Sequence, residues 1–146
     1  MKKILLIIIS LLTIITLTGC TNNRIGEKTP HKITNDKITM EVKQGTLTTS
    51  SATIIMTNKT DEEYTYGEPY HLEIKHNDLW HILELEPNND MFFTMPAYSL
   101  KAGESVEKEY NWEYGYGKLK KGTYRLVTDF SKEQNKIYVA AEFTIK

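Results

Sequence analysis

The chain has 146 residues, of which 18 are Lys or Arg and 19 are Asp or Glu, so its formal net charge is -1. This length allows one domain with a tail, and the balanced charge excludes the basic surface that the phosphates of a nucleic acid require. The one cysteine, Cys20, excludes an internal disulfide framework and a Cys-rich zinc module.

The first residues have the layout of a secretory signal. Lys2 and Lys3 form a basic start, and residues 4–18 are rich in Ile and Leu and carry no charge. A spanning helix needs ~20 apolar residues, which is longer than this run. The run ends at Leu17-Thr18-Gly19-Cys20, which resembles the lipobox of bacterial lipoproteins. The resemblance implies cleavage before Cys20 and a diacylglyceryl thioether on its sulfur. The alternatives are an ordinary secretory signal with a chance cysteine, or an uncleaved anchor.

Three parts follow along the chain: a lipoprotein signal peptide (1–19), a lipidated cysteine with a flexible tether (20–37), and a domain (38–146). The segment from Thr21 to Lys37 has two apolar residues, Ile25 and Ile33, and no helix or strand period, which favours coil. Cleavage would remove two lysines and leave a net charge of -3. Anionic lipid would therefore attract the domain weakly, so attachment to the outer face of the cell membrane depends on the acyl chains.

Residues 38–146 alternate apolar and polar side chains with the period of a β-strand. The alternating or β-rich segments are 38–43, 52–56, 72–75, 79–83, 106 onward, 123–127 and 137–145. Turn residues such as Gly103 and Gly122 separate them. The pattern predicts an all-β fold, an immunoglobulin-like antiparallel β-sandwich of about seven strands. Tyr124, just after Gly122, stands where such sandwiches place a tyrosine that hydrogen-bonds back across a corner.

Several segments, taken in order, resemble a known family. They are TNKT at 57–60, YGEPY at 66–70, LW at 79–80, LKAGES at 100–105, WEYGYGKL at 112–119, GTYR at 122–125 and AEF at 141–143. This set resembles the bacterial Ig-like domain of exported Gram-positive proteins, and it implies a β-sandwich without catalytic residues. A looser set, with Phe92-Phe93-Thr94, is similar to small intracellular proteinase inhibitors of Ig-like fold. The export signal departs from that intracellular role.

Two groups of aromatic residues are candidate partner contacts. They comprise Tyr64, Tyr66, Tyr70, Tyr114 and Tyr116. If a strand continues from Tyr110 to Tyr116, its four alternate aromatic side chains share one face and could meet a protein or glycan partner. Alternatively, Tyr110 and Trp112 are core residues, and Tyr114 and Tyr116 form a bend.

Catalytic and metal signatures are weak. His71, His76 and His81 are five residues apart, and an odd spacing places successive side chains on opposite faces of a strand. No metal or cofactor is therefore expected. Glu84 and Glu86 are the nearest carboxylate pair, beside Pro87, and nothing in the sequence indicates an acid–base role.

The sequence therefore predicts a membrane-anchored lipoprotein with a non-catalytic Ig-like binding domain. The alternative is an Ig-like proteinase inhibitor that presents residues 90–96, with Phe92 and Phe93, to an exported protease. A hydrolase is the third hypothesis.

Overall fold

The computed structural model of the protein describes residues 24–146. They form ten strands and one short helix: β1 (Ile25–Lys28), β2 (Ile38–Val42), β3 (Ser51–Asn58), β4 (Tyr64–Tyr66), β5 (His71–His76), β6 (Leu79–Leu83), β7 (Tyr98–Leu100), β8 (Ser105–Asn111), α1 (Glu113–Tyr116), β9 (Gly122–Lys132) and β10 (Asn135–Ile145). The all-β prediction is confirmed. The prediction did not include three strands, β1, β4 and β7. Each has only three or four residues, which is too short to show an alternation of apolar and polar side chains.

The strands form two antiparallel sheets. In the larger sheet, β9 pairs with β10 along its whole length, from Gly122 opposite Ile145 to Lys132 opposite Asn135. The other edge of β9 is shared between β5 and β4; β6 and β1 follow beyond β5, and β7 beyond β4. The smaller sheet has the order β2-β3-β8, so β8 lies at its edge. The predicted antiparallel sandwich is confirmed.

One apolar core joins the two sheets. On β3, burial alternates along the strand and places Ala52, Ile54 and Met56 inside. Trp112 is fully buried, and its ring stacks on that of Phe143 with 5.4 Å between the ring centroids. The alternation of apolar and polar residues in the sequence therefore marks the side chains that face the core, as expected where one face of a sheet is buried.

The predicted tyrosine corner is present at the start of β9. Tyr124 is buried, and its hydroxyl donates a hydrogen bond of 2.9 Å to the backbone carbonyl of Lys120. The bond ties the loop before β9 to the strand that follows it. A corner of this kind is typical of Greek-key sandwiches.

Replacing Tyr124 by Phe is expected to lower the free energy of unfolding by about 0.5–1.5 kcal/mol, the usual worth of one hydrogen bond. The measurement is urea denaturation followed by tryptophan fluorescence. Tyr114→Phe is the control, because the side chain of Tyr114 is 71% exposed. Equal unfolding midpoints for Tyr124→Phe and the wild type would show that the corner bond contributes nothing.

The segment before β2 differs from the predicted tether. Ile25 and Lys28 of β1 pair with Leu83 and His81 of β6. Further along, Ile33 bridges Tyr138, and the Asn35 side-chain amide bonds both backbone groups of Ala140. We call residues 24–35 the strap, because they run from the β6 edge of the larger sheet to its β10 edge. The prediction of a flexible segment is wrong for β1.

The strap escaped prediction for a physical reason. Its order comes from backbone hydrogen bonds to strands that lie far away in sequence, and neither composition nor period records such bonds. Cys20 and the signal peptide lie outside the described residues. Within residues 24–146, no helix is both long and apolar enough to cross a membrane.

Candidate functional site

An open cleft of about 510 Å³ lies along the outer edge of β8. Three segments line it: residues 68–70, residues 91–93 and residues 108–115. Five of the eleven residues that line it are aromatic, so we call it the aromatic cleft. Each of the two tyrosine groups that the sequence indicated contributes one residue to it, Tyr70 and Tyr114. Phe92 and Phe93, from the segment considered for an inhibitor, also line it.

Tyr70 is at the centre of the aromatic cleft. Its ring meets those of Phe93 and Tyr110 edge-on, with centroid distances of 5.4 and 5.1 Å. Its hydroxyl donates a hydrogen bond of 2.9 Å to the carbonyl of Asn111. Burial raises the pKa of the Tyr70 and Tyr110 hydroxyls, so both stay protonated at neutral pH. The edge-to-face contacts and this bond fix the ring, so the wall is formed before any ligand arrives.

Lys108 holds one side of the cleft together. Its ammonium lies 3.0 Å from the carboxylate of Glu68, and 5.1 and 5.3 Å from the ring centroids of Tyr110 and Tyr98. Hydrogen bonds from Tyr98 and from Lys108 keep the pKa of the Glu68 carboxyl below its ordinary value. The two charges therefore neutralise each other, and the cleft offers rings and a paired charge.

Residues 84–97, between β6 and β7, form an irregular loop beside the cleft. Two of its apolar side chains stand in solvent: Phe92 is 87% exposed and Met95 is 92% exposed. Phe93 points the other way and packs on Tyr70. Met91 packs on Gly115 so closely that a Cβ at Gly115 would lie 2.4 Å from the Met91 sulfur. A larger residue at 115 would therefore have to displace the Met91 side chain.

The structure separates the five candidate contact tyrosines. Tyr70 and Tyr114 line the cleft. Tyr66 is half-buried, and its ring lies 5.4 Å from that of Phe130. For Tyr64 and Tyr116 a role in partner contact is wrong, because they are only 4% and 3% exposed.

The burial of Tyr116 has a local cause. Strand β8 ends at Asn111, and α1 turns the chain so that the hydroxyl of Tyr116 accepts a hydrogen bond from the backbone of Leu72. The predicted bend is therefore confirmed, because Tyr114 and Tyr116 both lie in α1; Tyr116 is in addition buried, as Tyr110 and Trp112 are. Sequence reasoning missed Lys108 and Met91. Lys108 could have been found, because it precedes Tyr110 by two residues and so shares its face of β8; no signal pointed to Met91.

A buried charged cluster lies under the strap. Glu73 is fully buried, and one of its carboxylate oxygens accepts a hydrogen bond of 2.7 Å from Nε of Arg125 and lies 2.6 Å from Nη2 of the same residue. The other oxygen accepts one of 2.6 Å from the Thr29 hydroxyl, and lies 3.0 Å from Nε2 of His71. The Arg125 guanidinium lies 4.3 Å from the centre of the Trp80 ring. Both oxygens are thus occupied, which suits a structural role.

The pKa of Glu73 reflects two opposed causes. Burial raises it, but hydrogen bonds from His71, Thr29 and Arg125, together with the charge of Arg125, outweigh burial and hold the pKa of the carboxyl below its ordinary value. The group therefore stays ionised at neutral pH, and the ion pair is intact there.

The other candidate groups lie apart. The rings of His76 and His81 are 6.0 Å apart, whereas His71 faces Glu73. Residues 24–146 contain no group of three or more His, Cys, Asp or Glu that could hold a metal ion. Glu84 is exposed, and Glu86 pairs with Arg24 at 3.1 Å.

Two antiparallel sheets packed over one core, with a tyrosine corner at the start of the penultimate strand, define an immunoglobulin-like β-sandwich. The family model described as a bacterial Ig-like domain matches residues 34–144, and the chain belongs to this family. The Ig-like domain that the sequence indicated is thereby confirmed. No curated protein matched the sequence.

Proposed function

We propose that the protein is an exported lipoprotein, held at the outer face of the cell membrane through Cys20, whose Ig-like domain binds a protein partner and catalyses no reaction. One observation carries the binding function. Three separate segments bring Tyr70, Phe93, Tyr110 and Tyr114 around one open volume of about 510 Å³. Sites that take side chains or small ligands have volumes of this order.

A protein partner suits the cleft better than a glycan. Sugar rings stack on the open face of an aromatic ring, but Tyr70 meets Phe93 and Tyr110 at interplanar angles of 67° and 80°. Such an arrangement forms a pocket with walls, suited to an apolar side chain. Tyr, Phe and Met are also the residues that protein interfaces favour. The charge of Lys108 is already neutralised by Glu68, so the partner needs no matching charge at that point.

The lipid anchor is supported by the lipobox-like sequence that ends at Cys20. The test is the mass of the mature N-terminus after expression in a bacterium with a lipoprotein pathway. We expect a chain that begins at Cys20 and carries diacylglycerol, and a Cys20→Ser chain without it. An unmodified Cys20, or cleavage at another bond, would contradict the anchor.

The binding function is tested by site-specific photo-cross-linking in intact cells. A photoreactive residue replaces Glu109, which is exposed and lines the cleft, or Glu107, which is exposed on the same strand but outside it. We expect a discrete protein adduct from position 109 and none from 107. Phe93→Ala should weaken binding of that partner. Loss of a central aromatic contact costs about 1–2 kcal/mol of binding free energy, which raises Kd about five- to thirtyfold.

Other results would contradict the protein partner. Equal adducts from positions 107 and 109 would mean that the cleft does not define the interface. Retention on a carbohydrate column, lost in Phe93→Ala, would assign the cleft to a glycan. Stoichiometric inhibition of an exported protease, lost in Phe92→Ala, would instead support the inhibitor.

A further inference from the structure

Arg24 is fixed to the domain by both its backbone and its side chain. Its carbonyl accepts a hydrogen bond of 2.9 Å from the amide of Glu84. Its guanidinium donates one of 2.7 Å to the carbonyl of Tyr116 and lies 3.1 Å from the carboxylate of Glu86. The chain is therefore part of the folded body from this residue onward.

This position limits how the domain can sit on a membrane. The argument rests on the proposed lipid anchor at Cys20, only four residues before Arg24. Four residues span at most about 14 Å. A compact chain of this size has a radius of gyration of about 14 Å, and hence a diameter of roughly 35 Å. The link is shorter than half of the domain, so the side that carries Arg24 must face the lipid.

The aromatic cleft lies beside the contacts of Arg24. Gly115, next to Tyr116, lines the cleft, and Asn89 donates a hydrogen bond of 2.5 Å to the carbonyl of Tyr114. Tyr114 and Phe92 both line the cleft and are 71% and 87% exposed. Large exposed rings next to the start of the folded chain are unusual for a surface that meets only water.

We propose that the rim formed by Phe92 and Tyr114 rests in the headgroup region of the membrane to which Cys20 is anchored. Aromatic side chains favour this region, because it accepts both their apolar faces and the Tyr hydroxyl. Charge does not supply the contact. The nearby side chains of Lys118 and Glu113 face each other at 3.9 Å, and the exported part has a net charge of -3.

The proposal also narrows the class of the cleft's partner. A cleft whose rim touches the headgroups is open only to proteins that are themselves at the membrane surface. The strand β10 lies four strands from β1 across the larger sheet, about 19 Å away at ordinary strand spacing, so we expect its exposed side chains to stay away from the lipid.

The test uses the full lipidated protein, reconstituted in vesicles of phosphatidylglycerol and phosphatidylcholine. Because lipid occupies the sulfur of Cys20, an engineered cysteine is the only free thiol. A fluorophore is attached in Phe92→Cys, in Tyr114→Cys and, as the control, in Glu142→Cys, which is exposed on β10. Lipids with a nitroxide at headgroup level should quench the labels at 92 and 114 at least about twofold more than the label at 142.

A second chain tests the role of the short link. Twelve Gly and Ser residues inserted between Asn23 and Arg24 add a coil of about 19 Å root-mean-square length. We expect the difference in quenching between position 114 and position 142 to shrink, since a longer link allows the domain to turn. An unchanged difference would overturn the view that the link sets the orientation.

Flotation separates failure of the orientation from failure of the anchor. The wild-type chain should float with the vesicles, and Cys20→Ser should not. If the wild type floats and all three labels are quenched equally, the orientation is wrong and the anchor stands. If the wild type does not float, the anchor is wrong and the orientation falls with it.

Discussion

Replacing Glu73 by Ala is expected to lower the free energy of unfolding by about 3–5 kcal/mol. The substitution leaves the Arg125 guanidinium buried without its counter-ion, 6% exposed and away from water. It also removes the acceptor of the Thr29 hydroxyl, and so loosens the strap. Urea denaturation followed by tryptophan fluorescence measures the loss.

Two controls define the origin of this loss. The double variant Glu73→Leu with Arg125→Met removes both charges and should be more stable than Glu73→Ala alone. Glu107→Ala breaks the Lys43–Glu107 pair, whose side chains are 45% and 50% exposed, and should change stability by less than about 0.5 kcal/mol. A Glu73→Ala chain as stable as the wild type would contradict the importance of the buried pair.

The pH dependence gives a further check on the same pair. Because the folded pKa of Glu73 lies below its ordinary value of 4.5, its ionised form stabilises the protein above that pH. This contribution is lost as the pH falls through the folded pKa. The gap in stability between the wild type and Glu73→Gln should therefore shrink below about pH 4.5. A gap that grows towards acid would contradict the assignment.

Trp112→Ala is the second change with a large expected effect, a loss of about 3–5 kcal/mol in the free energy of unfolding. The ring is fully buried and stacks on Phe143, and its Nε1–H donates a hydrogen bond of 2.9 Å to the carbonyl of Thr49. Truncation leaves a cavity between the sheets and removes one of two hydrogen bonds to the Thr49 carbonyl, which also accepts one of 2.8 Å from the amide of Leu119. The measurement is again the unfolding midpoint and slope in urea.

The matched control lies two residues away. Tyr114→Ala should change stability by less than about 0.5 kcal/mol, because its side chain is 71% exposed. On a continuous strand the two positions would share a face, and the two losses would be similar. Comparable losses from Trp112→Ala and Tyr114→Ala would therefore contradict the turn at α1.

The fold was predictable where one face of a strand is buried and the other is exposed to solvent. Ala141, Phe143 and Ile145 alternate with the polar residues Glu142 and Thr144 at the end of β10, and their pattern predicts the strand. Glu73 shows the limit of this reasoning. It lies between Leu72 and Ile74, so the alternation places it correctly on the outer face of β5, but the strap covers that face. No local pattern reveals such a cover.

The site was predictable in parts but not as a whole. Tyr70 and Tyr114 belong to the two tyrosine groups, and Phe93 to the segment considered for an inhibitor, yet the sequence gives no reason to bring them together. They meet because the loops around residues 68 and 91 both reach the free edge of β8. Tyr64 and Tyr116 show the converse, since a tyrosine in a polar segment can still point inward.

The strap has a consequence for the order in which the molecule is completed. Ribosomes make it before the sandwich, but its partners come much later: 105 residues separate Asn35 from Ala140. The contacts of Ile33 and Asn35 can therefore close only after β10 has been synthesised, whereas the partners of β1 on β6 are made earlier. Closing so long a loop slows folding. The contacts of Ile33 and Asn35 with β10 are thus among the last of the fold to form, although these two residues belong to the first part of the domain to be made.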